Sequence, residues 1–236
     1  MKFLYPEFLW ALTALLIPVI IHLFNFKRHK TLYFSSLKFI KHIDEEDEII
    51  VQCDQGNTTP EVYKVLDTFK APVGLKDPLK IIEFPLKGHF SNFKNNLKEH
   101  CTGDWIFQID ADELPSEILL ANLYELLRSN PKCEMFWVPR VNNFIGVTPE
   151  DIKNYGWRVN EKGYIMWPDY QSRIYKNQPN IRWERKLHET IIGFKEFTRI
   201  PAMEELSLYH TKTIEKQRND NKRYMSEFSL EDNVRK

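Results

Sequence analysis

The chain opens with an apolar run, FLWALTALLIPVII from Phe8 to Ile21, broken only by Thr13. Tolerating Pro6, Glu7, His22 and Asn25 extends it over Phe3–Phe26, close to the roughly 20 residues that cross a bilayer. Tyr5 and Trp10 sit near one end and the basic run Lys27–Lys30 (KRHK) follows the other. That asymmetry predicts a single-pass helix in the cell inner membrane, with the rest of the chain in the cytoplasm. Pro18 is tolerated in a lipid-spanning helix. A cleaved signal peptide fits less well, because no A-x-A-like site follows and the basic residues come after the apolar run. A buried core helix is the other alternative.

Beyond Lys41 the pattern shortens and begins to alternate. An acidic turn leads to a strand-like run, Glu48–Cys53, then the polar loop Asp54-Gln55-Gly56-Asn57-Thr58-Thr59, then a helix-like run with Pro60 at its first position. The unit recurs. LKIIEFP (Leu79–Pro85) reads as a strand, SNFKNNLKEHC as a helix and DWIFQID as a strand. PSEILLANLYELLRSN reads as one amphipathic helix with Ile118, Leu119, Leu123, Leu126 and Leu127 on its apolar stripe. Strands alternating with helices predict an α/β fold with a doubly wound, mostly parallel sheet. In such sheets ligands bind beyond the carboxyl ends of the strands, where Asp54 and Asp110 fall.

Composition narrows the partners. Lys plus Arg and Asp plus Glu each number 33, so no bulk field favours nucleic acid. Cys53, Cys101 and Cys133 show no CxxC spacing and suggest neither a disulfide framework nor a zinc cluster. A reducing compartment fits that usage.

The chemistry concentrates in WIFQIDADE, residues 105–113. Asp110 and Asp112 share a face, and the small Ala111 between them leaves room for a ligand. Two hard oxygen ligands with open positions suit Mg²⁺ or Mn²⁺ bridged to a diphosphate. Alone, the pair equally describes an acidic loop after a strand, or the Asp and Glu favoured at a helix N-terminus.

Two resemblances sharpen these expectations. MKFLYPEFLWALTALLIPVIIHLFNFKRHKTLYFSSLKFIK, residues 1–41, resembles the membrane-spanning N-terminus of bacterial aerotolerance regulators. From about Asp47 to residue 210 the chain resembles family 2 glycosyltransferases of the GT-A fold. DEIIVQCDQGNTTPEVYKVL is similar to that family's second strand with its D-x-G-S-T-D loop, and FSNFKNNLKEHCTGDWIFQIDADE to its helix and D-x-D strand. RWERKLHETIIGF resembles the H-E stretch of several members. The expected domains are therefore an anchor, 1–41, and a glycosyltransferase domain, 42–236.

The second resemblance implies a nucleotide-diphosphate sugar as donor, a glycan, lipid or other hydroxyl acceptor, and a divalent metal. It implies Asp54 at the nucleotide base, Lys94 and Asn95 along the donor cleft, Asp110 at the ribose or metal, Asp112 at the metal-bridged diphosphate and His188 as a further metal ligand. An inverting transferase needs a carboxylate to take the acceptor's proton. Glu189 and Glu113 are the candidates, with Glu204 and Glu205 behind them. Each glutamate alone reads equally as a surface or pairing residue. Aromatics crowd the stretch Cys133–Trp183; most are expected in the core, with Trp157 and Trp167 facing the acceptor. Arg173 suits a phosphate, a carboxylate or an ordinary ion pair.

Relatives begin with a strand and a polar base-binding loop that this chain lacks in recognisable form. TLYFSS (Thr31–Ser36) is the candidate substitute strand and LKFIKHI a shortened helix, so the first strand is expected to be incomplete. A non-catalytic membrane-anchored interaction protein, or an inactive fusion carrying a transferase relic, is the alternative function.

Overall fold

The computed structural model describes residues 47–68 and 79–233. These belong to the compact unit Ser36–Lys236; the other unit, Met1–Ser35, lies outside the described residues. The expected anchor over 3–26, the substitute strand Thr31–Ser36 and LKFIKHI also fall outside them. Among the described residues no helix is long and apolar enough to cross a membrane.

The first local expectations hold closely. Strand β1 is Ile50–Asp54 and helix α1 is Pro60–Asp67, with Pro60 in its first turn. Strand β2 is Lys80–Phe84 and helix α2 is Phe90–Glu99. Strands β1 and β2 run parallel, Ile50 opposite Lys80 and Asp54 opposite Phe84. Strand β3 is only Trp105–Phe107, shorter than the seven-residue run read from the sequence, though Gln108 N continues one rung by donating to Arg173 O at 2.9 Å. Strand β4 is Glu113–Pro115.

The helix expected over 115–130 is broken in two, α3 at Glu117–Ala121 and α4 at Leu123–Ser129. Ser116 caps α3 by accepting from Leu119 N at 3.0 Å. Asn122 ends it, leaving helical geometry (φ −102°, ψ 1°) while its side chain donates to Ile118 O at 2.7 Å. That side-chain bond competes with the helical ladder, as short polar side chains do.

The long strands come from the aromatic-rich stretch. Strand β5 is Met135–Ile145 and β6 is Ile165–Lys176, antiparallel to each other. Between them lies helix α5, Pro149–Tyr155. Strands β7 (Arg182–Glu184) and β8 (Thr190–Ile192) form a separate antiparallel pair. Strands β9 (Phe197–Arg199) and β10 (Leu208–Thr213) both run parallel to β5, along Met135–Trp137 and Arg140–Ile145 respectively. Helices α6 (Ile214–Glu227) and α7 (Leu230–Asn233) close the described chain.

This corrects the doubly wound, mostly parallel GT-A sheet expected above. The parallel pair β1–β2 is a sheet of its own, and the main sheet, ordered β3-β6-β5-β10-β4 with β9 also on β5, is a strongly curled, mostly antiparallel half-barrel. Strand–helix alternation predicts parallel neighbours only if successive strands meet, and here β3 pairs antiparallel with β6 instead. Register shifts at Phe136/Trp137 and Arg140/Asn142 bend β5, since a bulge raises local twist.

Period-two alternation divides the core between the two faces of that sheet. Phe136 and Ile174, opposite each other, pack with Leu119, Val138, Ile200 and Leu208. Their neighbours Met135 and Tyr175, also opposite each other, pack with Ile106, Ile181, Trp183 and Ile191. The α3–α4 helices thus cover one face and the β7–β8 pair the other.

The β7–β8 cover depends on one glycine. Gly193 has φ +88°, and a Cβ there would stand 1.8 Å from Asn180 O. Gly193→Ala should therefore lower stability by about 2–3 kcal/mol, from a disfavoured φ and a backbone clash together. Thermal unfolding of the variant reads this directly, and an unchanged midpoint would refute the close approach.

Candidate functional site

Asp54, the last residue of β1, accepts from Leu86 N and from Asn57 Nδ2, both at 2.9 Å, so its carboxylate fastens the loops after β1 and β2. Asn95 on α2 exchanges two hydrogen bonds with the Trp183 backbone, both 2.9 Å, and pins that helix to β7. Lys94, one residue earlier, faces the carboxylates. Its Nζ lies 2.9 Å from Asp110 Oδ1, 2.6 Å from Glu189 Oε1 and 4.4 Å from the centre of the Trp183 ring.

Beneath Asp110 lies a buried ionic chain. Arg173 on β6 grips Glu113 through Nε (2.8 Å) and Nη2 (2.7 Å) and also donates to Asp110 Oδ2. Arg140 on β5 donates to Glu113 Oε1 at 2.7 Å and, through Nη2, to Asp169 Oδ2 at 2.6 Å. Asp169 accepts from Asn142 Nδ2 at 2.9 Å, and Asn142 Oδ1 lies 2.8 Å from His210 Nδ1 on β10. His210 Nε2 in turn stands 3.5 Å from Asp112 Oδ2. The chain thus runs from Asp110 around to Asp112 through the half-barrel strands. Of the readings open for Arg173, the structure selects the ion pair.

The Asn142 amide fixes the histidine tautomer. Its Nδ2 already donates to Asp169 Oδ2 and to Ile165 O (3.2 Å), so its Oδ1 must accept and His210 Nδ1 must carry a proton. His210 Nε2 therefore faces Asp112. A neutral ring would point a lone pair at a carboxylate, an arrangement completed by a proton or a cation between them. The sequence singles out His188, which lies between β7 and β8 at φ +52°, and does not point to His210. The available signal was its place beside Lys212 on a final strand, and pairing of β10 with β4 across His210 and Glu113 could not be seen in one dimension.

The charges around the aspartates outweigh burial. Desolvation pushes Asp110 upward, but Arg173 and Lys94 hold its carboxyl below the usual range. His210, and then Lys216, hold the Asp112 carboxyl far below that range despite partial burial. Both carboxylates are ionised at neutral pH.

Accessibility separates the glutamates. The Glu113 side chain is 0 % exposed between its two guanidinium groups, whereas Glu189 retains 15 %. Glu204 is engaged elsewhere, with Lys162 and the Tyr164 hydroxyl. Trp157 stacks on Tyr155 at 4.6 Å and meets Phe144 edge-on at 5.3 Å, and Phe144 meets the His210 ring at 5.6 Å. Trp167 packs edge-on to Tyr164 at 6.3 Å.

For a divalent cation, Asp112 and His210 supply an oxygen and a nitrogen donor at a partly exposed position, which fits Mn²⁺ or Mg²⁺ with water and phosphate completing the shell. Asp110 fits less well, since both its oxygens meet protein cations. Among the described residues no three His, Cys, Asp or Glu side chains gather as a metal site.

Comparison with protein families reaches the start of the chain. Residues 1–52 match the aerotolerance regulator N-terminal family (BatA), a region typically membrane-associated in bacteria. The match passes the expected boundary at residue 41 and enters β1. No glycosyltransferase family model matches, and no curated protein matches the chain.

Proposed function

We propose that the chain is a membrane-tethered glycosyltransferase that moves a sugar from a nucleotide-diphosphate donor to an acceptor hydroxyl. The observation that carries this reading is the approach of the His210 imidazole to Asp112 at 3.5 Å, beside the group in which buried Lys94 joins Asp110 and Glu189. The likeness of residues 47–210 to family 2 glycosyltransferases supports it through the D-x-D and H-E stretches. It rests on the site and not on a GT-A sheet, which the described residues do not form.

In this reading Asp112 and His210 would hold Mn²⁺ or Mg²⁺, which when bound would offset the charge gathering on the departing diphosphate. Lys94 fixes Asp110 and Glu189 relative to each other. Glu189 takes the acceptor's proton as the hydroxyl attacks the anomeric carbon, and direct displacement inverts that carbon. The N-terminal segment anchors the chain once through the inner membrane, with the site in the cytoplasm. A glycan, a lipid or another hydroxyl compound serves as acceptor.

One observation favours the second reading, a non-catalytic membrane-anchored interaction protein or inactive fusion: both Asp110 oxygens are already satisfied by Lys94 and Arg173. Calorimetric titration of UDP into the full chain in detergent, with and without Mn²⁺, separates the two. Transfer chemistry requires metal-dependent binding that Asp112→Asn abolishes. Binding indifferent to Mn²⁺ or to the substitution would leave only the second reading.

A further inference from the structure

Lys216 lies in the first turn of α6, where its backbone N–H donates to Thr213 Oγ1 at 3.2 Å. Its Nζ lies 3.3 Å from Asp112 Oδ2, the same oxygen that His210 Nε2 approaches at 3.5 Å. The side chain is 55 % exposed, so solvent surrounds much of its stem. The neighbouring lysines differ. Lys94 is 7 % exposed between two carboxylates, and Lys212, 9 % exposed, is bound to Asp220 at 2.8 Å. The backbone beneath Lys216 is meanwhile held, because Arg218 grips Asp151 through three hydrogen bonds of 2.7 to 2.9 Å.

We infer that Lys216 is a switching ligand: it occupies Asp112 while no cation is bound there and transfers its ammonium to the donor's diphosphate when one is. The inference rests on the glycosyl-transfer reading above and names a residue which that reading does not require. Two facts lead to it. A divalent cation on Asp112 Oδ2 and an ammonium at 3.3 Å from the same atom repel one another at close range, so one displaces the other. The displaced ammonium stays on a flexible four-carbon stem anchored to a fixed helix, within reach of phosphate oxygens gathered at the cation. No bond is made or broken in the exchange; one ion pair replaces another.

The test uses the full chain in detergent and two probes, Mn²⁺ alone and UDP with saturating Mn²⁺, on wild type, Lys216→Met and Lys216→Arg. Removing the competing ammonium should tighten Mn²⁺ binding several-fold in Lys216→Met. The same variant should bind UDP about tenfold more weakly, the scale of one hydrogen bond to a charged group. Lys216→Arg should restore UDP binding. Mn²⁺ and UDP affinities both unchanged in Lys216→Met would overturn the switching role alone. Absence of Mn²⁺ binding in wild type and variant alike would overturn the metal-dependent reading, and this inference with it.

Discussion

Glu113→Ala should lower stability by about 3–5 kcal/mol, the cost of removing one partner from a buried ion pair. Its side chain is 0 % exposed and accepts from Arg173 twice and from Arg140 once. Without it the two guanidinium groups, 4 % and 14 % exposed, face each other across the space it occupied. Asp110 and Asp169 still neutralise part of that charge, which places the cost inside this range and not above it. For a domain of this size the midpoint of thermal unfolding should fall by about 10 °C. Glu113→Gln, which keeps an acceptor but loses the charge, should fall between. A shift below about 2 °C in the alanine variant would mean that the pair contributes little net stability. The prediction also separates scaffold from chemistry, because a catalytic base must meet its substrate and Glu113 is enclosed.

Glu189→Gln should slow sugar transfer by about 10²–10⁴-fold, the usual contribution of a positioned general base, while UDP binding in the presence of Mn²⁺ stays within about twofold of wild type. Glutamine preserves an acceptor for Lys94, whose Nζ is 2.6 Å from Glu189 Oε1, so the Lys94–Asp110 contact survives the change. Initial rates with saturating donor, compared with calorimetric affinity for UDP, distinguish the two effects. Normal turnover would move the base elsewhere. Weakened UDP binding with unchanged turnover at saturation would make Glu189 a positioning residue acting through Lys94.

Lys94 and Arg173 hold opposite sides of Asp110. Asp110 is thereby held from both sides, whereas Asp112 pairs with Lys216 and lies beside His210. This division follows from their positions: Asp110 lies over the β6 guanidinium, and Asp112, two residues on, turns toward β10 and the start of α6.

Much of the local structure was legible in the sequence. The run Glu48–Cys53 and the first part of DWIFQID are strands, Pro60 starts a helix, and most of SNFKNNLKEHC is helical. The sequence also shows an apolar run ending in Asp110, Asp112 and Glu113, but not that these acids meet Lys94, Arg173 and His210. The helix over 115–130 was overextended, since helical propensity and periodicity do not report that Asn122 will bond its own preceding turn.

The sequence by itself determined where apolar segments lie, which ends carry acids, and that residues 1–52 match an aerotolerance regulator N-terminus. Only the tertiary structure decided that β3 pairs antiparallel with β6, that Arg173 closes on Glu113, and that His210 reaches Asp112. The physical reason is separation along the chain. Periodicity records which face of an element is apolar, a property of neighbours in sequence. Ion pairing and strand order depend on contacts between residues such as Asp110 and Arg173, and Asp112 and His210, which only the folded chain brings together.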